Sequence, residues 1–244
     1  IGRLVGSEMC IRDRVYTQPP QKSHRGQKIN KSPIQGISET LNIDYRTPTT
    51  LKDNHQEYEF LKKLNADLSV VCAYGHIIPK NFLKLTKKGF VNIHASILPS
   101  WRGAAPIQRS IMNLDSETGL SIMKMNEELD SGPISNTYKV KIDKNQNAQE
   151  ISEKLSALAA EKILDNVDDI LEDKAKFIDQ DHSKATYAKK IQKEESQIDW
   201  NEDAPKIIGK INGLFPSPGA SFSFNGERYK ICLLYTSPSP RDDR

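Results

Sequence analysis

The sequence has few cysteines, no long apolar run and almost no excess of charge, and each shortage removes a class of protein. Its three cysteines among 244 residues, Cys10, Cys72 and Cys232, are too scattered for a disulfide framework or a paired zinc spacing. No apolar run approaches the roughly 18 residues of a membrane span, and the first residues lack the layout of a secretory signal. The net charge of +3 does not by itself indicate a nucleic-acid partner. These absences predict a soluble intracellular protein.

Both ends of the chain look unlike evolved protein sequence. Residues 7–14 and 232–244 resemble the peptides produced when sequencing-adapter DNA is translated. We therefore expect residues 1–14 and 232–244 to be non-native tails and the natural chain to be cut at both ends. Flexible native tails are the alternative.

Between these tails, short apolar runs alternate with helix-like segments, a pattern typical of a parallel sheet covered by helices. Strands are predicted at 68–73, 90–93, 120–125 and 134–142. A capping box at Asn147 and Glu150 predicts a long helix over 148–171, and Ser32 before Pro33 predicts the start of another. Further helices are predicted over 54–64 and from Pro106.

The charge and turn signals divide the rest of the chain. Residues 143–181 contain 11 acidic and 5 basic residues, which is typical of a solvated outer face. After the segment 15–183, prolines and glycines predict a linker over 184–204. A β-rich domain then begins, covering 205–231, with a hairpin turn at Asn225-Gly226.

Asn92 and His94 lie two residues apart at the end of a predicted strand, so their side chains leave on one face. The carboxyl edge of an open α/β sheet is where such folds bind ligands. An amide and an imidazole aimed at one point suit a carbonyl group that becomes an oxyanion. Asp130, from another loop, could orient the imidazole and favour its charged form. By spacing alone, a structural histidine that caps a strand is the more common outcome.

The stretch NIHASILPSWRGAAPIQ, with AYGHIIP before it and LDSGPI after it, resembles the folate-dependent formyltransferases. The family pattern is His-x-Ser-Leu-Leu-Pro with a glycine four residues later, and Ile97 is a conservative departure from it. The matching positions are His94, Ser96, Leu98, Pro99 and Gly103. The RGAAPIQ continuation is typical of the branch that acts on tRNA, and the resemblance covers about residues 15 to 231.

This resemblance implies transfer of a formyl group from 10-formyltetrahydrofolate to the α-amino group of methionine on initiator tRNA, without a metal. The family's catalytic residues fall on Asn92, His94 and Asp130. We assign Asn92 as an amide donor to the oxyanion, and His94 as a donor and proton shuttle. Asp130 then orients and charges His94.

The resemblance also implies binding residues for both substrates. A folate pocket is expected at Ala73, Tyr74, Gly75, His76, Ile77, Ser96, Leu98, Pro99, Leu129 and Gly132. His76 fits an ordinary loop histidine equally well. Residues 16–31 form a basic loop without acids, which the family inserts toward the tRNA acceptor stem, although such a loop is usually only solvated. Contacts to tRNA are expected from Lys22, His24, Arg25, Lys28, Lys31, Lys189 and Lys190.

The fold implied is α/β: a Rossmann-like formyltransferase sheet that lacks its first strand, followed by the start of a truncated barrel of the oligonucleotide-binding type. The intact chain is then a monomeric enzyme of translation initiation, in the bacterial cytosol or an organelle matrix and without a membrane partner. Activity of the truncated chain stays open. The alternatives are a formyltransferase for an amino sugar or glycinamide ribonucleotide, and an inactive tRNA-binding fragment.

Overall fold

The computed structural model describes residues 14–22 and 29–231. The terminal segments 1–13 and 232–244, predicted to be non-native, lie outside the described residues. The chain divides into two compact units, residues 1–90 and residues 91–244. Within the described ranges, no helix combines the length and apolar character that crossing a membrane requires.

In the first unit, residues 14–22 and 29–90 form short strands and two helices. β1 pairs with β4 in parallel and β2 pairs with β3 in antiparallel, so residues 16, 21–22 and 29–30 of the predicted basic loop belong to strands. The predicted N-cap at Ser32 and the helix over 54–64 are confirmed. In chain order the elements are β1 Val15–Tyr16, β2 Gln21–Lys22, β3 Ile29–Asn30, α1 Pro33–Thr40, β4 Tyr45–Arg46, α2 His55–Leu64, β5 Ser69–Val71 and a 3-10 turn Phe82–Lys84.

A charged cluster fixes α2 in this unit. The Glu57 carboxylate is buried and accepts two hydrogen bonds from Arg46, both at 2.6 Å, and one from the Tyr16 hydroxyl at 3.0 Å. The hydrogen bonds from Arg46 hold the pKa of Glu57 below its ordinary value, although burial opposes them. Burial, and then the Glu57 charge, raise the pKa of Tyr16. The cluster therefore keeps Glu57 ionised inside the unit.

The described part of the second unit, residues 91–231, contains a sheet, three helices and a final hairpin. β8 lies between β6 and β9 in the sheet, and β7 pairs with β10 in parallel. The elements are β6 Phe90–His94, whose first residue falls at the division, β7 Arg102–Gly103, α3 Pro106–Met112, β8 Glu117–Lys124, β9 Ile134–Lys141, α4 Ala148–Leu171, β10 Tyr187–Ala188, α5 Ala204–Leu214, β11 Ala220–Phe224 and β12 Glu227–Ile231. Short 3-10 turns cover His182–Lys184 and Lys193–Ser196.

The expectation of a parallel sheet is wrong for this unit, because β8 runs antiparallel to both β6 and β9. Continuous apolar runs are typical of parallel strands, which are covered on both faces. β8 carries the same pattern because it is the middle strand and almost all of it is buried. Burial on two faces, and not strand direction, thus determines the composition of this strand.

The capping box of α4 is confirmed. The Asn147 side chain accepts from the backbone N–H of Glu150 at 3.0 Å, and the Glu150 carboxylate accepts from the Asn147 N–H at 2.9 Å. One apolar side of the helix then packs on the sheet through Ile151 and Leu155, which are 0% and 2% exposed and contact Leu120 of β8.

The prediction of a β-rich segment over 205–231 is wrong for its first part, because residues 204–214 form α5. Pro205 lies in the first turn, where a missing N–H costs nothing. Gly209 and Gly213 permit close contact with α3, since an added Cβ would lie 3.1 Å from the Ile111 carbonyl or 2.9 Å from the Gln108 carbonyl. The predicted hairpin turn at Asn225-Gly226 is confirmed, with φ of 49° and 79°.

Candidate active site

The second unit brings Asn92, His94 and Asp130 together at the end of β6. Asn92 Nδ2 lies 3.4 Å from Asp130 Oδ1, and His94 Nδ1 lies 3.6 Å from Asp130 Oδ2. Asp130 comes from the turn between β8 and β9, so the carboxylate faces both side chains of β6. The carboxylate is therefore the common neighbour of the amide and the imidazole.

The imidazole of His94 is almost fully buried, at 6% exposure, and both of its nitrogens face acceptors. Nε2 lies 2.9 Å from the carbonyl oxygen of Trp101, and Nδ1 faces the Asp130 carboxylate. A carbonyl only accepts, so Nε2 is the nitrogen that donates to Trp101, and Nδ1 is the nitrogen turned toward the Asp130 carboxylate.

Gly103 holds the Asp130 carboxylate through its main chain. Its backbone N–H donates to Asp130 Oδ2 at 2.9 Å. Gly103 has a φ of 119°, and a Cβ added there would lie 2.8 Å from the Ala188 carbonyl. Glycine is thus required by both the backbone conformation and the parallel pairing of β7 with β10.

Two further polar residues lie directly behind the site, and sequence reasoning missed both. Gln180 donates to the carbonyls of Asp130 at 2.9 Å and Gly132 at 2.7 Å. The Arg102 guanidinium, 3% exposed, donates to the Gln180 side-chain oxygen at 2.7 and 3.1 Å. The interpretation of 143–181 as a solvated face is therefore wrong at Gln180, which is 7% exposed. A lone glutamine in an acidic segment offered no signal for this role.

The predicted folate residues of the second unit differ in accessibility. Ser96 is fully buried and its hydroxyl donates to the Ser100 carbonyl at 2.6 Å, and Leu98 is 5% exposed. Leu129, next to Asp130, is 61% exposed. Pro99 follows a cis peptide bond. Gly132 is buried, and a Cβ there would overlap the Lys124 carbonyl. Leu129 is thus the apolar side chain of this group that a ring can contact without rearrangement.

The folate residues predicted in the first unit form an irregular segment after β5. Ala73 and Gly75 have φ of 46° and 75°, and the Tyr74 carbonyl accepts from Gln18 at 3.0 Å. The Tyr74 ring lies 5.3 Å from the His76 ring, and its hydroxyl is buried without a partner. Ile77 is 85% exposed. The segment thus combines an exposed apolar side chain, Ile77, with a Tyr74 hydroxyl that is shielded from solvent.

The predicted tRNA residues are only partly visible. His24, Arg25 and Lys28 lie outside the described residues, and for Lys22 the structure describes the backbone, in β2. Lys31 pairs with Glu39 at 2.8 Å. Lys189 and Lys190 are exposed, and their carbonyls accept from Arg109 and Gln192 respectively. Within residues 14–22 and 29–231, no group of three His, Cys, Asp or Glu side chains is arranged to hold a metal ion.

An amide, an imidazole and a carboxylate at a strand end, in an α/β chain, define an enzyme site for chemistry at a carbonyl group. The chain belongs to the formyltransferase family. The model of the formyl transferase N-terminal domain matches residues 12–167, and that of the C-terminal domain matches residues 190–242. The second match runs beyond the described residues, so the barrel predicted there stays a prediction.

Its curated relatives include methionyl-tRNA formyltransferases from several bacteria. The protein from Pelagibacter ubique is 65% identical over 89% of this chain and 70% of its own length. A Coxiella burnetii relative is 43% identical over 89% of this chain and 69% of its own.

Solved structures confirm the predicted α/β formyltransferase fold. A 4-N formyltransferase from Francisella tularensis has a TM-score of 0.65 at 18% identity, covering 91% of this chain and 97% of its own. A sugar 3N-formyl transferase has the same TM-score at 19% identity, covering 83% and 69%. At such identities the likeness establishes the fold alone.

Proposed function

We propose that this chain transfers a formyl group from 10-formyltetrahydrofolate to the α-amino group of methionyl initiator tRNA, without a metal. The observation that carries the proposal is the 65% identity to a methionyl-tRNA formyltransferase over 89% of the chain. The cluster of Asn92, His94 and Asp130 supports it, because formyl transfer passes through an oxyanion. Bacterial relatives support action in the bacterial cytosol during translation initiation.

The reaction forms one carbon–nitrogen bond and breaks another. The neutral amine attacks the formyl carbon, and the carbonyl oxygen becomes an oxyanion in a tetrahedral intermediate. The bond from that carbon to N10 of the folate then breaks. One amine proton must finally reside on N10, so the products are N-formyl-methionyl-tRNA and tetrahydrofolate. The residues need to stabilise one negative oxygen and move one proton.

Asn92 supplies the donor to the oxyanion in this proposal. Its hydrogen bond to Asp130 is long, 3.4 Å, so a formyl oxygen can take over the amide at little cost. A donor placed at a developing oxyanion contributes roughly 2.7 to 4 kcal/mol to the transition state. Most of that contribution appears only when charge develops, so it affects turnover more than binding.

In this proposal, His94 and Asp130 carry out the proton transfer from the amine to N10 of the folate. With Nε2 engaged by the Trp101 carbonyl, Nδ1 is the ring nitrogen that faces Asp130. The gap of 3.6 Å between Nδ1 and Oδ2 exceeds a hydrogen bond and can close on substrate binding or through one water. Asp130 orients the ring and stabilises its charge while the proton passes from the amine toward N10.

The substrate-binding residues and the oligomeric state belong to the same proposal. The folate contacts and the tRNA contacts assigned above come from the resemblance. The basic loop supports contact with phosphates, whose signature is a steep salt dependence. We propose a monomer, which sedimentation at working concentration checks.

The discriminating experiment compares acceptors. Wild-type chain, 10-formyltetrahydrofolate and equal concentrations of methionyl initiator tRNA, an amino sugar nucleotide or glycinamide ribonucleotide are followed by release of tetrahydrofolate. We expect turnover with the tRNA alone. Equal rates on a small amine reject the proposed acceptor, and salt-sensitive tRNA binding without folate binding indicates a non-catalytic fragment.

A further inference from the structure

We propose that Gln180 is a positioning residue that sets the place of the Asp130 carboxylate, and that Arg102 holds Gln180 in the orientation this requires. The inference rests on the proposed function, because it gives Asp130 a role in formyl transfer. It adds Gln180 and Arg102 to the residues that build the site, and both lie outside β6 and outside the turn that contains Asp130.

All the hydrogen-bonding groups of the Gln180 side chain are used. Its nitrogen donates to the carbonyls of Asp130 and Gly132, at 2.9 and 2.7 Å, and so grips both sides of the turn. Its oxygen accepts from Arg102. A primary amide is the side chain that combines two donors with an acceptor at this spacing. Glutamate lacks the donors, and methionine lacks donors and acceptor.

Arg102 determines which way the amide points. A guanidinium only donates, so the group that faces it at 2.7 Å must be the Gln180 oxygen. The nitrogen then faces the two carbonyls. Arg102 also bonds weakly with His182 Nδ1, at 3.4 Å. Since the guanidinium is 3% exposed, it is a fixed part of the interior and does not reach a ligand.

The turn that Gln180 grips needs such support. Asp130 has a φ of 46°, in the left-handed region that non-glycine residues seldom adopt. Gly103 holds the carboxylate end of the residue and Gln180 holds its carbonyl. If the carbonyl is released, the turn relaxes, and the separations of Asp130 from Asn92 and His94 change together. Misplacement by about 1 Å in a catalytic group costs roughly 100-fold in rate.

The experiment measures steady-state formyl transfer by the full chain in two backgrounds. In the wild-type background, Gln180→Met should lower kcat roughly 100-fold while KM for methionyl-tRNA changes less than about 2-fold. In the Asp130→Asn background, Gln180→Met should cause little further loss, because the group it positions is gone. An equal fractional loss in both backgrounds, or a rise in KM alone, overturns the inference.

Two variants separate positioning from simple loss of folding. Gln180→Glu keeps the acceptor for Arg102 and gains an ion pair with it, so it should fold, yet it should lose kcat for lack of donors. Gln149→Met is the matched control, since Gln149 is exposed and its side chain donates to Glu153 in the same helix, at 2.9 Å. The control should retain wild-type kcat. Wild-type kcat in a folded Gln180→Glu contradicts the inference.

A second readout keeps this inference distinct from the proposed function. If wild-type chain transfers no formyl group to methionyl-tRNA, the proposed function fails, and the nitrogen NMR signals of the His94 imidazole test the inference alone. Gln180→Met should shift these signals, because Asp130 moves relative to Nδ1, while Gln149→Met should leave them in place. Unchanged signals in Gln180→Met overturn the positioning role.

Discussion

At the residue scale, Asp130 is held by hydrogen bonds from the main chain of Gly103 and from the side chain of Gln180, which lies behind the site. The Asp130 carboxylate takes its shortest bond, 2.9 Å, from the backbone of Gly103, whereas the catalytic candidates Asn92 and His94 stand 3.4 and 3.6 Å away. The looser contacts are the ones that a substrate has to replace. The backbone of Gly103 thus holds Asp130 in place, whereas the side chains of Asn92 and His94 stay available to the substrate.

Removing the Asn92 amide tests the oxyanion donor. Asn92→Ala should lower kcat roughly 100- to 1,000-fold, since one such donor contributes about 2.7 to 4 kcal/mol to the transition state. Folate affinity, measured by fluorescence titration, should change little. Asn201→Ala is the control, because Asn201 is exposed and its side chain bonds to Asp199 at 2.9 Å. Loss of folate affinity with unchanged kcat in Asn92→Ala contradicts this role.

A methyl group at Gly103 tests the main-chain support. Gly103→Ala combines an unfavourable φ of 119° with a Cβ 2.8 Å from the Ala188 carbonyl. We expect a loss of more than about 1 kcal/mol in the free energy of unfolding, and loss of formyl transfer as Asp130 is displaced. Gly219→Ala provides the control: its φ is 79°, but the nearest atom is 3.6 Å away. Gly219→Ala should lower the free energy of unfolding only through its unfavourable φ, and it should keep formyl transfer. Denaturant unfolding and turnover measurements check both expectations.

At the element scale, the sequence predicted helices from their caps better than it predicted how strands pair. The Asn147 capping box and the Ser32 N-cap are local, since each involves backbone within three residues. Strand direction depends on partners far along the chain, and the apolar run of β8 fits a middle strand of either kind. For the same reason α5 was missed, because its glycines suit α3 and not the helix itself.

In α5, the cost of lost packing can be compared with the gain in helix propensity. Gly213→Ala should gain up to about 1 kcal/mol of helix propensity, yet its Cβ would lie 2.9 Å from the Gln108 carbonyl. We expect net destabilisation. Gly36→Ala in α1 is the matched control, because nothing lies within 4 Å of the added Cβ, and there propensity should stabilise. Thermal unfolding of both variants measures the change in stability. Stabilisation by Gly213→Ala would contradict this prediction and mean that α3 and α5 separate easily.

The Glu57 cluster predicts a pH dependence of stability. The folded-state pKa of Glu57 is lowered, so its ionised form stabilises the fold above the ordinary value of 4.5, and this stabilisation is lost as pH falls through the folded pKa. Glu57→Gln should therefore lower the free energy of unfolding near neutral pH, with the difference from wild type shrinking below about pH 4.5. Glu39→Gln, whose ion pair is exposed, should show a much smaller change. A constant difference from neutral to strongly acidic pH contradicts this origin.

At the scale of the whole molecule, binding and chemistry are expected to separate. His94→Ala should abolish turnover and leave tRNA affinity almost unchanged. Arg25→Ala, in the basic loop outside the described residues, should weaken tRNA binding and flatten its salt dependence, with less effect on folate binding. Filter binding at several salt concentrations, together with turnover, distinguishes the two. If both variants lose the same property, this separation of roles is wrong.

The sequence alone determined the family, the helix caps and the two motifs that contain Asn92 with His94 and Asp130, because each cap or motif is a local pattern of residue types. Only the tertiary structure decided that β6, β8 and β9 run antiparallel, that both nitrogens of His94 face acceptors, and that Gln180 grips the Asp130 turn. Gln180 and Asp130 are 50 positions apart in the chain and meet through one hydrogen bond. Such a contact leaves no periodicity or local pattern, so it becomes visible only when the chain is folded.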